Sequence, residues 1–136
     1  KTDDLVFIDD YAHHPEEINA VHHAVREMYP NEKVLAIFQP HLFSRTKDFA
    51  DEFAEALSQF DEVILLDIYP ARELPIEGVN SSWLLSKISN QNKTLISKKS
   101  LIKNIRLSSA KIILTIGAGD IGEEVKTIKK ALSIAS

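Results

Sequence analysis

Five short apolar runs, each followed by polar or turn-forming residues, constrain this chain more than any other feature: Leu5–Asp9, Lys33–Phe38, Val63–Asp67, Thr94–Ile96 and Lys111–Ile116. Runs of this length rich in Ile, Val and Leu read as β-strands. All but the short run around Leu95 are near-continuously apolar, as strands covered on both faces are. Between them lie stretches of a different period. Ile18, Val21, Val25 and Met28 recur at spacings of three and four, as do Phe49, Phe53, Leu57 and Phe60, and then Ile121, Val125, Ile128 and Leu132. Each set gives a helix one apolar stripe for packing on a sheet. Strands alternating with helices imply crossover connections and hence a mainly parallel sheet. The expected fold is α/β, a three-layer Rossmann-like sandwich around a mostly parallel sheet of five or six strands, with residues 1–136 as one domain.

Local signals fit this alternation. Pro15 suits the first turn of a helix, with Glu16 and Glu17 at its positive end and Pro30-Asn31 closing it. Ser81 or Ser82 is expected to cap a short helix through Trp83, Leu84, Leu85 and Ile88, and another should begin at Ser100 or Leu101 and end near Arg106.

The net charge of −4 argues against a nucleic-acid or anionic-membrane surface, both of which need a dense Lys/Arg field. A phosphate-bearing substrate must then be met locally. With no cysteine, disulfides and thiolate zinc sites are ruled out. No apolar run approaches the ~20 residues of a membrane span. The polar, acidic first residues do not read as a signal peptide, so a cytoplasmic address is expected. No GxxxxGK[ST] phosphate loop occurs, and the chain starts almost directly on an apolar run, which is expected of a domain taken from a larger protein.

A parallel sheet binds ligands at the carboxyl ends of its strands, where the unusual residues of this sequence gather: DDYAHHP after the first strand, QPHLFSRT after the second, DIYPARELPIEG after the third and GAGDIG after the last. Asp9 and Asp10 could accept hydrogen bonds from a ribose diol or ligate a cation, and His13 or His14 could donate to an anion or carry a proton. An Asp can equally cap a helix, and a His can be satisfied by backbone. Arg45 could pair with a carboxylate or phosphate, with His41 as a further donor, or be a solvated surface group beside an N-cap formed by Ser44 or Thr46. Asp67, Tyr69, Arg72 and Glu73, stiffened by Pro70, Pro75 and Gly78, form either a substrate wall or an ordinary crossover. The GAGDIG amides could meet an anion, but the motif follows the last strand, so it is not the dinucleotide fingerprint. His22 and His23, mid-helix, read as ordinary helix residues. No metal site is expected among Asp9, Asp10, His13, His14 and His41, because adjacent His residues on one turn rarely face the same ion and no HxxxH pair encloses a Glu.

Taken in order, DDYAHHPEEI, FQPHLFSRT, DIYPARELPIEGV and IGAGDIG resemble the carboxy-terminal domain of the Mur ligases, over Asp9 to Gly122. Tyr11 and the QPH and SRT strings favour the branch that takes L-alanine over the branch that recycles murein tripeptide, which typically has DDF and EPRSNT in those loops. The resemblance implies two further domains, an N-terminal one for the UDP-sugar and a central one with the ATP phosphate loop. ATP and Mg2+ would be held mainly by that central domain. It also implies that ATP phosphorylates the lactyl carboxylate of UDP-N-acetylmuramate and that the amine of L-alanine attacks the acyl phosphate. Carried over position by position, Asp10 contacts the ATP ribose, with Tyr11 beside it. His13 lines the gap between nucleotide and amino acid as the catalytic group, Arg45 and His41 meet the alanine carboxylate, and Gly117 and Gly119 form a pocket wall. Many relatives have Arg where this sequence has Leu42, so Arg45, with His41, must serve without a second arginine. The isolated chain is expected to be inactive and to bind ATP weakly. A phosphoacceptor receiver domain is the competing class, since acids end the first strand and Asp67 ends the third, although GlyAlaGly stands where a receiver needs Lys.

Overall fold

The computed structural model describes residues 6–135, without the side chains of residues 132–135. The expected five strands form, displaced by a residue or two: β1 (Val6–Asp10), β2 (Val34–Phe38), β3 (Glu62–Leu65), β4 (Lys93–Leu95) and β5 (Ile112–Ile116). All pair in parallel, in the order β1-β5-β2-β3-β4. The helices are α1 (Pro15–Met28), α2 (Phe43–Asp48), α3 (Ala50–Leu57), α4 (Ser81–Lys87), α5 (Leu101–Leu107) and α6 (Ile121–Ala135), with a 3-10 turn at Lys98–Ser100. Leu5 and the side chain of Leu132 lie outside the described residues.

Strand alternation sorts the core into two layers. Val34, Ala36, Phe38, Val63, Leu65, Ile112, Leu114 and Ile116 pack under α1, α3 and α4 through Ile18, Val25, Phe53, Leu57 and Leu84. Leu35, Ile37, Ile64 and Ile113 pack under α5 and α6 through Leu101, Ile105, Ile121 and Ile128. β2 and β5 are buried at every position, as strands covered on both faces must be, whereas β1, at the edge, is only half-buried.

Several local expectations are corrected. Met28 is 61% exposed: it is the last residue of α1, and Tyr29, where the helix ends, packs against the core beyond it. Phe49 does not sit inside one long helix: it is the junction where α2 ends and α3 begins. The cap of α4 is Asn80, whose side chain accepts from Trp83 N, while Ser81 donates to Leu66 O across the core. α1 is capped by His14, whose Nδ1 accepts from Glu16 N at 3.4 Å. The strand order also removes the receiver alternative, since β1 and β3 are separated by β5 and β2 and their acids cannot converge in one pocket.

A clamp opposite the loop cluster fixes the α1–β2 turn. Arg26 Nη2 donates to Asp61 Oδ2 at 2.6 Å and Nη1 to Glu32 O at 2.9 Å, while Val34 N donates to the same Asp61 oxygen at 2.8 Å. Burial opposes the Asp61 carboxylate, but these hydrogen bonds and the Arg26 charge outweigh it and hold its pKa below the ordinary value.

Candidate functional site

The ladder continues one step past the strands and holds the loops level with each other. Gly117 N donates to Asp10 O at 3.1 Å, Gln39 N to Ile116 O at 3.1 Å, and Leu66 N to Phe38 O at 3.0 Å. From there β1 and β2 lead to helices on one face and β5 to α6 on the other, so a crevice opens where the loops diverge.

In the first loop the two acids part company. Asp9 Oδ1 accepts from Thr115 Oγ1 at 2.7 Å, tying Asp9 to β5. Asp10 Oδ1 accepts from Ala12 N at 2.9 Å, a turn that commits one of its oxygens. Asp10, Tyr11 and Ala12, with Glu17, Ala20, Val21 and Ala24 of α1, line a cleft of about 420 Å³, with Tyr11 72% exposed at its rim. His13 Nδ1 lies 3.2 Å from Tyr11 O. A carbonyl only accepts, so in the neutral ring Nδ1 carries the proton and Nε2 is left as the acceptor.

The second and third loops are zipped together. His41 and Tyr69 form a parallel bridge, Tyr69 N donates to Pro40 O and Leu42 N to Tyr69 O, both at 2.8 Å. The His41 ring stacks on the Tyr69 ring at 5.6 Å and 12°. Arg45 Nη1 stands 3.1 Å from His41 Nδ1. A guanidinium only donates, so this nitrogen accepts and the proton of neutral His41 sits on Nε2. Burial, then the charges of Arg45 and His13, push the His41 pKa down and favour this neutral form. The start of α2 already holds an anion: Glu73 Oε1 accepts from Ser44 N at 3.1 Å, and Glu73 Oε2 accepts a short hydrogen bond from Ser44 Oγ.

The last loop is fastened through Gln39, 4% exposed at the end of β2. Its Oε1 accepts from Ile121 N at 2.9 Å and its Nε2 donates to Asp120 Oδ1 at 2.6 Å, while Lys98 makes a short ion pair with Asp120 Oδ2. Gly119 lies so close to Tyr69 that a Cβ would come within 2.6 Å of the ring and 2.7 Å of Gln39 Oε1. Gln39, Tyr69, Asp67, Ser97, Lys98 and Asp120 line part of a second cleft, of about 520 Å³.

Of the residues singled out in the sequence, His13, His41 and Arg45 come together: the two imidazoles stand 6.1 Å apart edge to face, and Arg45 adjoins His41 through its Nη1. Asp10 and Tyr11 adjoin them, the Tyr11 ring 5.8 Å from His13. Gly117 and Gly119 sit between the loops, with the Gly117 amide turned to Asp10 O and not to solvent. His14 turns to α1 and the Phe49 ring, and His22 packs on Phe60 outside the cluster. Among the described residues, no three His, Asp or Glu side chains gather as metal ligands, and no helix is long and apolar enough to cross a membrane. Gln39 is the structural partner that sequence reasoning did not assign to the site, while Tyr69 and Glu73, read from the sequence as part of a substrate wall or an ordinary crossover, fasten the second and third loops together. The one signal for Gln39 was a polar residue closing a wholly apolar strand.

The family model for "Mur ligase, glutamate ligase domain" matches residues 1–131. The UDP-N-acetylmuramate–L-alanine ligase of Flavobacterium psychrophilum is 72% identical over 128 residues, covering 94% of this chain and 29% of its own length. That of Christiangramia forsetii is 70% identical over 132 residues, covering 97% and 29%. The chain therefore spans about 29% of the length of these curated relatives. Among solved structures, a murein peptide ligase from Psychrobacter arcticus has the same fold, with a TM-score of 0.73 at 19% identity over 95% of this chain and 28% of that one.

Proposed function

The chain belongs to the Mur ligase family, in its glutamate ligase domain, and from this we propose that it is the carboxy-terminal, site-closing domain of an ATP-dependent cytoplasmic enzyme that joins L-alanine to UDP-N-acetylmuramate in peptidoglycan synthesis. The family is ATP-dependent. In this reading the remaining length of the protein carries the UDP-sugar site, the ATP phosphate loop and Mg2+.

ATP would supply the phosphoryl group that turns the lactyl carboxylate into an acyl phosphate. The residues of the first loop fit its nucleoside end: one Asp10 oxygen is committed to Ala12 N, leaving the other for a ribose hydroxyl, and Tyr11 with the Ala20 to Ala24 surface of α1 offers an apolar bed. Among the described residues lining this cleft none is a cation, so the triphosphate is assigned in this reading to the remaining length of the protein.

The amino-acid end is carried by the convergence of Arg45, His41 and His13. Arg45, with the Nε2–H of His41, meets the alanine carboxylate, and His13 Nε2 takes the proton that the attacking amine must lose. Closing these loops over the acyl phosphate excludes water, which would otherwise hydrolyse it, and sets the amine at attacking distance. Tripeptide recycling is favoured by no observation of this site, and the murein peptide ligase shares only the fold at 19% identity. Phosphate release by the full-length protein from ATP, UDP-N-acetylmuramate and each of several amino acids or murein tripeptide tests the reading. L-alanine should be the preferred acceptor, and preference for tripeptide would overturn it.

A further inference from the structure

α2 carries Arg45 but does not cap itself. Its N-cap residue is Leu42, which has no side-chain acceptor and sits at φ 73°, in the left-handed region that L side chains avoid. The missing acceptor comes from a different loop. Both carboxylate oxygens of Glu73 accept from Ser44, one from its amide and one from its hydroxyl, which meets an N-terminal donor that helices otherwise satisfy from their own N-cap. Glu73 reaches this point because the third loop is bound along the second through the His41–Tyr69 bridge, and because Glu73 N closes a turn on Pro70 O at 2.9 Å around Ala71 at φ 55°. Ser44 immediately precedes Arg45. Whatever fixes the first turn of α2 therefore fixes the origin of the guanidinium and, through the Arg45–His41 contact, the imidazole.

We propose that Glu73 is a positioning residue for the amino-acid substrate: by capping α2 from the third loop, it holds Arg45 and His41 in the orientation that meets the substrate carboxylate. This rests on the role given to Arg45 above. The charge of Glu73 acts against the substrate directly: an anion beside Arg45 weakens the pull of that arginine on a second carboxylate, so the benefit proposed here is that of the two hydrogen bonds and of the reach of the side chain. Charge and geometry are therefore separable. Gln has the length of Glu and can keep both contacts with Ser44, its amide donating to the hydroxyl, but is neutral. Asp keeps the charge but is one methylene too short.

In the full-length enzyme, Glu73→Ala and Glu73→Asp should each raise the KM for L-alanine about five- to tenfold, the scale of a lost helix cap, with the KM for ATP within about twofold as the sign of an intact fold. Glu73→Gln should recover most of the loss. Amide exchange over residues 43–48 should quicken in the Ala and Asp variants and return towards the native rate in Gln. If Asp stays near the native KM while Gln falls with Ala, or if all three leave both KM and exchange unchanged, the positioning role is overturned. Arg45→Ala, measured alongside, tests the premise separately: an unchanged KM for L-alanine there removes the assigned role of Arg45, whereas the exchange data still report whether Glu73 orders α2.

Discussion

His13 and His41 stand edge to face with ring centroids 6.1 Å apart, and their partners leave them with opposite tautomers. The Tyr11 carbonyl puts the proton of His13 on Nδ1, and the Arg45 guanidinium puts that of His41 on Nε2. In the neutral rings one Nε2 is thus an acceptor and the other a donor, so under the roles proposed for them replacing either should have a different kinetic effect. His13→Gln in the full-length enzyme should lower kcat by about 10²-fold, the usual worth of a placed general base, while His41→Gln should act mainly on the KM for L-alanine. Steady-state kinetics with saturating ATP separates the two, and a kcat defect confined to His41→Gln would reverse the assignment.

Asp10 and Arg45 stand on different loops with different partners, Ala12 N and His41 Nδ1, and the roles proposed for them predict a double dissociation. Losing a charge-assisted hydrogen bond costs roughly 1.5–3 kcal/mol, so Arg45→Ala should raise the KM for L-alanine at least about tenfold and barely move that for ATP. Asp10→Ala should do the reverse. If Arg45→Ala weakens ATP and spares alanine, the roles of the first two loops are exchanged.

Two glycines of the last loop should respond oppositely to the same methyl group. Gly119→Ala would drive a Cβ to 2.6 Å from the Tyr69 ring, against atoms held by the loop zipper, and should destabilise the chain by roughly 1–3 kcal/mol. At Gly122, in the first turn of α6, a Cβ meets nothing within 4 Å. Alanine there should stabilise by about 0.5–1 kcal/mol through its higher helix propensity. Urea denaturation followed by circular dichroism measures both.

Acid should unfold the chain earlier than its carboxylates alone would require. His22 has a buried Nε2 with no hydrogen-bond partner among the described residues, and burial, then the Arg26 charge, push its pKa down from 6.5; His41 shifts the same way. In the window between the ordinary and lowered values the unfolded chain binds protons that the folded chain does not, so stability rises with pH. It is fully present above about 6.5 and lost as pH falls through that window. His22→Leu should flatten part of this slope. Denaturation midpoints between pH 5 and 7.5 that are independent of pH in the native chain would contradict this.

The strands and their buried faces could be read in advance because hydrophobic period is a local property: β2 is apolar at every position and β5 at all but Thr115, and both are buried at every position. The four polar loops could be placed at one sheet edge for the same reason. What could not be read is which loop serves which. Ser81 looks like a cap until Leu66 O is brought beside it, and His14 caps α1 although neighbouring aspartates are the commoner choice. Gln39 and Glu73 gain their meaning from Asp120 and Ser44, partners 81 and 29 residues away that only the assembled sheet brings near. The strand order was equally hidden, since the apolar runs of β2, β3 and β5 are alike and only crossover geometry distinguishes their neighbours.

That order governs how the molecule can be built. Among the described residues β1 finds its partner only in β5, so Val6 waits for Ile112, and β5 also stands between β1 and β2. A chain emerging from the ribosome can form β2, β3 and β4 with their helices, but β1 stays unpaired and the inner edge of β2 stays open until the last strand slides into the gap. Such long-range parallel pairing is slow to form and leaves strand edges exposed in the meantime. Truncation before residue 112 would therefore split the sheet and separate Asp10, on β1, from the Gln39 and His41 loop that follows β2.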